Sequence, residues 1–125
     1  MAKTVLIVED EQSMQRALKN KLEHAGYTVL AAANGPEALS ALECSEQPVH
    51  MLLTDMVMPG MNGVELARRA RAVRRGIKVL YTTGYSDEVL ARGNAPDREI
   101  SAIVSKPFTA AELTRKVRQV LDSPV

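Results

Sequence analysis

The chain is poor in features that mark exported, membrane-bound or strongly charged proteins. It has one cysteine, Cys44, so no internal disulfide can form, and a reducing compartment, the cytoplasm, is the expected location. No apolar run approaches the length of a bilayer span, and the opening MAKTVLIVEDE meets charge too soon to form the core of a signal peptide. Neither sign of charge dominates: 16 Lys and Arg face 15 Asp and Glu, which leaves no field to draw the molecule onto nucleic acid or an anionic membrane. A partner must therefore be chosen by a local surface. The arginine-rich stretch RRARAVRR at 68–75 comes with no aromatic stacking set or groove-reading motif, and reads as a solvated helix end favoured by the helix dipole. His24 and His50 are isolated and read as structural, and Cys44 as a small buried or half-buried residue. Repeats, low-complexity tracts and linkers are missing, so residues 1–125 are expected to form a single domain that buries roughly two-thirds of the surface of its unfolded chain.

What is present is a rhythm. Five short apolar runs, TVLIV (4–8), TVLAA (28–32), HMLLT (50–54), KVLYT (78–82) and SAIVS (101–105), alternate with stretches of helical period. That pattern predicts βα units, with a parallel sheet covered by helices on both faces. The first helix presents Met14, Ala17, Leu18, Leu22 and Ala25 on one face and stops at Gly26. Gly35 and Pro36 open the second, which turns Ala38, Leu39 and Leu42 inward. The third runs from about Val64 to Arg75, with Leu66, Ala67, Ala70 and Val73 inward and Gly76 as its stop. A short fourth element is expected after YTTGYSDEVLAR, where Gly93, Asn94 and Pro96 follow at once. The last helix starts at Thr109, with Glu112 three residues on as a capping box.

Parallel strands open their C-terminal ends on one edge, where ligands of α/β folds bind. The residues at those ends are Glu9, Asp10 and Glu11, then Asp55, then Thr82 and Thr83, then Lys106 followed by Pro107. Carboxylates brought within about 4 Å repel by roughly 4 kcal/mol per pair at an effective dielectric of 20, so such a rim calls for a cation. Oxygen donors without nearby His or Cys favour Mg²⁺, with Mn²⁺ possible, over Zn²⁺. A lysine and a threonine hydroxyl suit phosphate oxygens, and a single strand-end aspartate is a competent nucleophile toward a phosphoryl group.

In this order the residues resemble the receiver domain of bacterial two-component response regulators over the whole chain. The match rests on Glu9-Asp10, on Asp55 followed by Met58-Pro59 and Asn62-Gly63, on Thr83-Gly84 and on Lys106-Pro107. The resemblance implies a flavodoxin-like fold, with a five-stranded sheet in the order 2-1-3-4-5. It implies Asp55 as phosphoacceptor, taking its phosphoryl group from a histidine kinase or a histidine phosphotransfer protein. Glu9, Asp10, Asp55 and the backbone carbonyl of Val57 would hold Mg²⁺, while Lys106 and Thr83 contact the phosphoryl oxygens. It also implies a monomer, or a weak dimer through the face built from the fourth helical stretch, the fifth strand and the last helix.

Two positions depart from the family pattern. Glu9 is one methylene longer than the commoner aspartate, and Ile103 stands where an aromatic ring usually moves with the threonine. Tyr85 and Val57 flank the site, and a long-lived phosphoaspartate is the expectation. The YTTGY stretch looks like receivers attached to hybrid histidine kinases or stand-alone relatives of them; a free-standing relay is the expected form, with a receiver domain excised from a hybrid histidine kinase as the alternative. Rival readings fit less well: an FMN-binding flavodoxin needs its phosphate loop after the first strand, where acids stand here, and an aspartyl phosphatase needs a second acid at position 57, which is Val.

Overall fold

The computed structural model describes residues 3–55, 63–83, 102–105 and 108–122. In chain order they form β1 (Thr4–Val8), α1 (Gln12–His24), β2 (Thr28–Ala32), α2 (Gly35–Cys44), β3 (Met51–Asp55), α3 (Gly63–Val73), β4 (Lys78–Thr83), β5 (Ala102–Ser105) and α4 (Ala110–Asp122). The strands make one parallel sheet in the order β2-β1-β3-β4-β5. The fourth helical stretch predicted from the sequence lies outside the described residues.

The two central strands explain the near-continuous apolar runs. Every residue of β1 is buried, and so are Met51, Leu52, Leu53 and Thr54 of β3. Because side chains alternate across a strand, each run feeds two cores. Leu6, Val8, Leu52, Val79 and Tyr81 pack against α2 and α3 through Ala38, Leu42, Leu66 and Ala70. Val5, Ile7, Met51, Leu53 and Leu80 pack against α1 and α4 through Leu18, Leu22, Leu113, Val117 and Val120. Each fully buried Leu or Val contributes about 1.5–3 kcal/mol of transfer free energy, so the sheet is held from both sides.

Local chemistry sets the helix ends. Gly26 has φ +102°, its N–H donates to Glu23 O at 3.0 Å and the N–H of Tyr27 donates to Leu22 O at 3.1 Å, a Schellman arrangement that stops α1. The Asn34 side chain accepts from the Glu37 N–H at 2.8 Å and starts α2. At α4, the Glu112 N–H donates to Thr109 Oγ1 at 3.0 Å and the Thr109 N–H to Glu112 Oε1 at 3.4 Å, the reciprocal pair predicted from Thr-x-x-Glu.

The C-terminal end of α2 is capped from a distance. The helix has no basic residue in its last turn, and its final carbonyls need donors. Arg74, just beyond α3, donates from Nε and Nη2 to Leu42 O at 3.2 and 2.9 Å, and from Nη2 to Ser45 O at 2.6 Å. One arginine of the 68–75 run is thus a tie between two helices, while Arg68 and Arg69 pair with Glu65 on the exposed side of α3.

Several sequence expectations are corrected. Val73 and Ala25 are exposed instead of inward, because each comes as its helix ends and the apolar stripe has turned away from the sheet. Cys44 is exposed, since it closes α2 on the side away from the core. β3 begins and ends one residue later than predicted, because Asp55 still pairs with Thr82. Replacing Arg74 with Ala is expected to lower the unfolding free energy by about 1–3 kcal/mol, by stranding two part-buried carbonyls. Val73→Ala changes it by less than about 0.5 kcal/mol. Urea denaturation of both variants tests this, and equal losses would contradict it.

Candidate functional site

All five strands end on one edge of the sheet, and their register fixes which residues become neighbours there. Val8 pairs with Thr54, so the residues that follow them, Glu9 and Asp55, emerge side by side from the two most deeply buried strands. Asp55 in turn pairs with Thr82, and Thr83 with Ser105. Burial differs along this rim. Glu9 is 4 % exposed, Asp55 is half-buried at the last position of β3, and Asp10 is exposed.

Glu9 is held by the backbone on both sides. Its N–H donates to Ala32 O at 3.0 Å, which carries the β1–β2 pairing one residue past the end of β1. Gln15, from the first turn of α1, donates through Nε2 to Glu9 O at 3.2 Å and to Ala32 O at 3.1 Å. One side-chain amide therefore closes the top of β1 against β2 and aligns α1 with them. Thr54 donates through its hydroxyl to Asp55 O at 3.0 Å, which satisfies a buried group directly beside the carboxylate. Glu11 caps α1 by position only: its side chain makes no cap hydrogen bond and instead accepts from Ser13 Oγ at 3.0 Å.

Of the residues singled out in the sequence, Glu9, Asp10 and Asp55 share this edge, and Thr83 ends β4. Lys106, Val57 and Tyr85 lie outside the described residues, and Ile103 pairs with Tyr81 along β5. Among the described residues no group of three or more His, Cys, Asp or Glu side chains is drawn together closely enough to share a metal ion. Asp10, the outermost of the three acids, is exposed to solvent. The donor chemistry still suits Mg²⁺, which takes one or two carboxylates and completes its shell with water and other oxygens. Gln15 is the residue that sequence reasoning passed over. Its position one turn into a helix that follows an acidic strand end is the only signal that could have found it.

Known proteins complete the description. Residues 5–118 match the family model of the response regulator receiver domain. The chain belongs to the receiver domain family. It is 38% identical over 119 residues to the response regulator receiver protein CpdR of Brucella abortus, covering 95% of this chain and 97% of that protein. It is 36% identical over 119 residues to the sensor kinase CckA of the same organism, where the match covers 95% of this chain but 12% of the kinase. Among solved structures, a response regulator receiver protein from Sinorhizobium medicae superposes with a TM-score of 0.82 at 30% identity, covering 98% of this chain and 96% of that one. Receiver domains of this family act in two-component signalling with histidine kinases, and this chain is a member on its fold and sequence alike.

Replacing Gln15 with Ala removes its hydrogen bonds to Glu9 O and Ala32 O. The expected loss is about 1–2 kcal/mol of unfolding free energy, with amide shifts in NMR spectra concentrated at residues 9–11 and 32–34. A thermal midpoint and spectrum like those of the parent would contradict the assigned role.

Proposed function

We propose that this receiver domain accepts a phosphoryl group on Asp55 from the phosphohistidine of a histidine kinase or a histidine phosphotransfer protein. The observation that carries this reading is the place of Asp55. It ends the central strand, next to a second acid, Glu9, that backbone bonds hold in place. In the transfer, a carboxylate oxygen of Asp55 forms the new P–O bond as the P–N bond to the donor imidazole breaks. The imidazole keeps that electron pair and takes a proton from water. Such a reaction asks little covalent chemistry of the protein, and rests on alignment and on neutralising charge.

Glu9, Asp10, Asp55 and the carbonyl of Val57 would hold Mg²⁺, or Mn²⁺, which when bound offsets the charge of the carboxylates and of the phosphoryl oxygens. Lys106 would pair with a phosphoryl oxygen, and Thr83 would donate a hydrogen bond to another. Both contacts exist only once the group has been transferred, so they would bias the domain toward a signalling conformation. Free-standing relays and receiver modules of hybrid kinases both accept a phosphoryl group on this chemistry, and the similarity to CpdR and to the sensor kinase CckA spans the two arrangements.

Acetyl phosphate with Mg²⁺ is the direct test, read by intact mass. The parent is expected to gain the mass of a single phosphoryl group, Asp55→Asn none, and Lys106→Ala to react at least about tenfold more slowly. A gain that survives in Asp55→Asn would overturn the reading. With Tyr85 and Val57 flanking the site, the phosphoaspartate is expected to persist for minutes or longer in Mg²⁺, and decay within seconds would count against a long-lived state.

A further inference from the structure

The opposite edge of the sheet, where the strands begin, carries the reverse charge. A cavity of about 340 Å³ there is lined by Lys3, His50, Arg74, Arg75 and Lys78, and by the apolar side chains of Val49, Ile77 and Leu121. No aspartate or glutamate among the described residues lines it. Among the described residues, Glu9, Asp10 and Asp55 stand at the strand ends, and Lys3 and Lys78 at the strand starts. Ligand pockets run from about 300 to 1,000 Å³, so this one admits a small molecule.

Two of its polar groups are fixed before anything binds. His50 Nδ1 accepts the N–H of Thr4 at 2.9 Å, so the neutral ring carries its proton on Nε2 as a donor. Arg74 spends Nε and Nη2 on the carbonyls of Leu42 and Ser45, which immobilises the guanidinium and leaves Nη1 uncommitted among the described residues. Donors ordered in advance lower the entropic cost of binding. Lys3 and Arg75 are exposed and add two positive charges to the lining.

We propose that this cavity binds a small molecule carrying a diphosphate or triphosphate group. A guanidinium whose Nη1 has no partner among the described residues, an imidazole N–H held by its hydrogen bond and the exposed Lys3 and Arg75 offer more donors than a single phosphate uses, and match the oxygens of two or three linked phosphates. The apolar wall of Val49, Ile77 and Leu121 offers a seat for an organic moiety attached to the phosphates. The assignment is independent of phosphoryl transfer at Asp55, which lies at the other edge.

The test is titration of the isotope-labelled protein with inorganic pyrophosphate, and separately with ADP, in Mg²⁺-free buffer, following backbone amides. Saturable shifts are expected at His50, Gly76, Ile77 and Lys78, weakened by added salt and by roughly tenfold or more in the double variant Lys3→Gln/Arg75→Gln, whose spectrum otherwise matches the parent. Tighter binding of ADP would identify a nucleotide, and equal affinities an inorganic polyphosphate; either supports the site. No saturable shift, shifts confined to the Asp10 and Asp55 edge, undiminished binding by the double variant, or shifts produced by an acidic peptide and not by pyrophosphate would each overturn it.

Discussion

The parallel pairing of β1 with β3 is the constraint on which the rest depends. Val5 through Val8 lie against Met51 through Thr54 in strict register, and all eight residues are buried. Sliding one strand by a residue would turn Ile7 and Leu53 toward the wrong helices and expose apolar surface on both faces. The packing of two cores therefore fixes the register to a single choice. That choice brings Glu9 beside Asp55.

Other contacts transmit this placement to the helices. Gln15 fastens α1 to the ends of β1 and β2, and Arg74 fastens α2 to the chain entering β4. The two ties act at opposite edges of the sheet, one beside the acids and one beside the cations. Loops at an α/β edge can vary in sequence while the strand ends beneath them stay in place, so a chemical site built on strand ends inherits the rigidity of the core.

Much of this was readable in the residues themselves, for physical reasons that differ from element to element. The strands announced themselves because burial on both faces demands nearly unbroken apolar runs, and Gly26 and the Thr109–Glu112 box acted through neighbours one turn away. The acids at positions 9, 10 and 55 could be assigned to one edge as soon as the strands were taken as parallel. Contacts between distant residues were not readable. The bond from Arg74 to Leu42 spans 32 residues, and that from Gln15 to Ala32 spans 17, and both residue types are ordinary on a helix surface. Val73 and Ala25 were misread because helical period alone does not say where a stripe leaves the sheet. The run of arginines read as one solvated face divides into an exposed pair on Glu65 and a buried-side cap, a difference of direction that composition does not carry.

The packing of the sheet sets Glu9 and Asp55 at neighbouring strand ends, and the proposed function adds a divalent cation that would offset their charge. Unfolding free energy measured against Mg²⁺ concentration tests it most directly, because a cation that binds only the folded state adds stability in proportion to the logarithm of its concentration once the site is saturated. The parent is expected to gain about 1.4 kcal/mol for each tenfold rise in Mg²⁺ above its dissociation constant. Asp10→Asn and Asp55→Asn should need far more Mg²⁺ before any gain begins. Curves for the two variants that lie parallel to and in step with the parent curve would contradict the account.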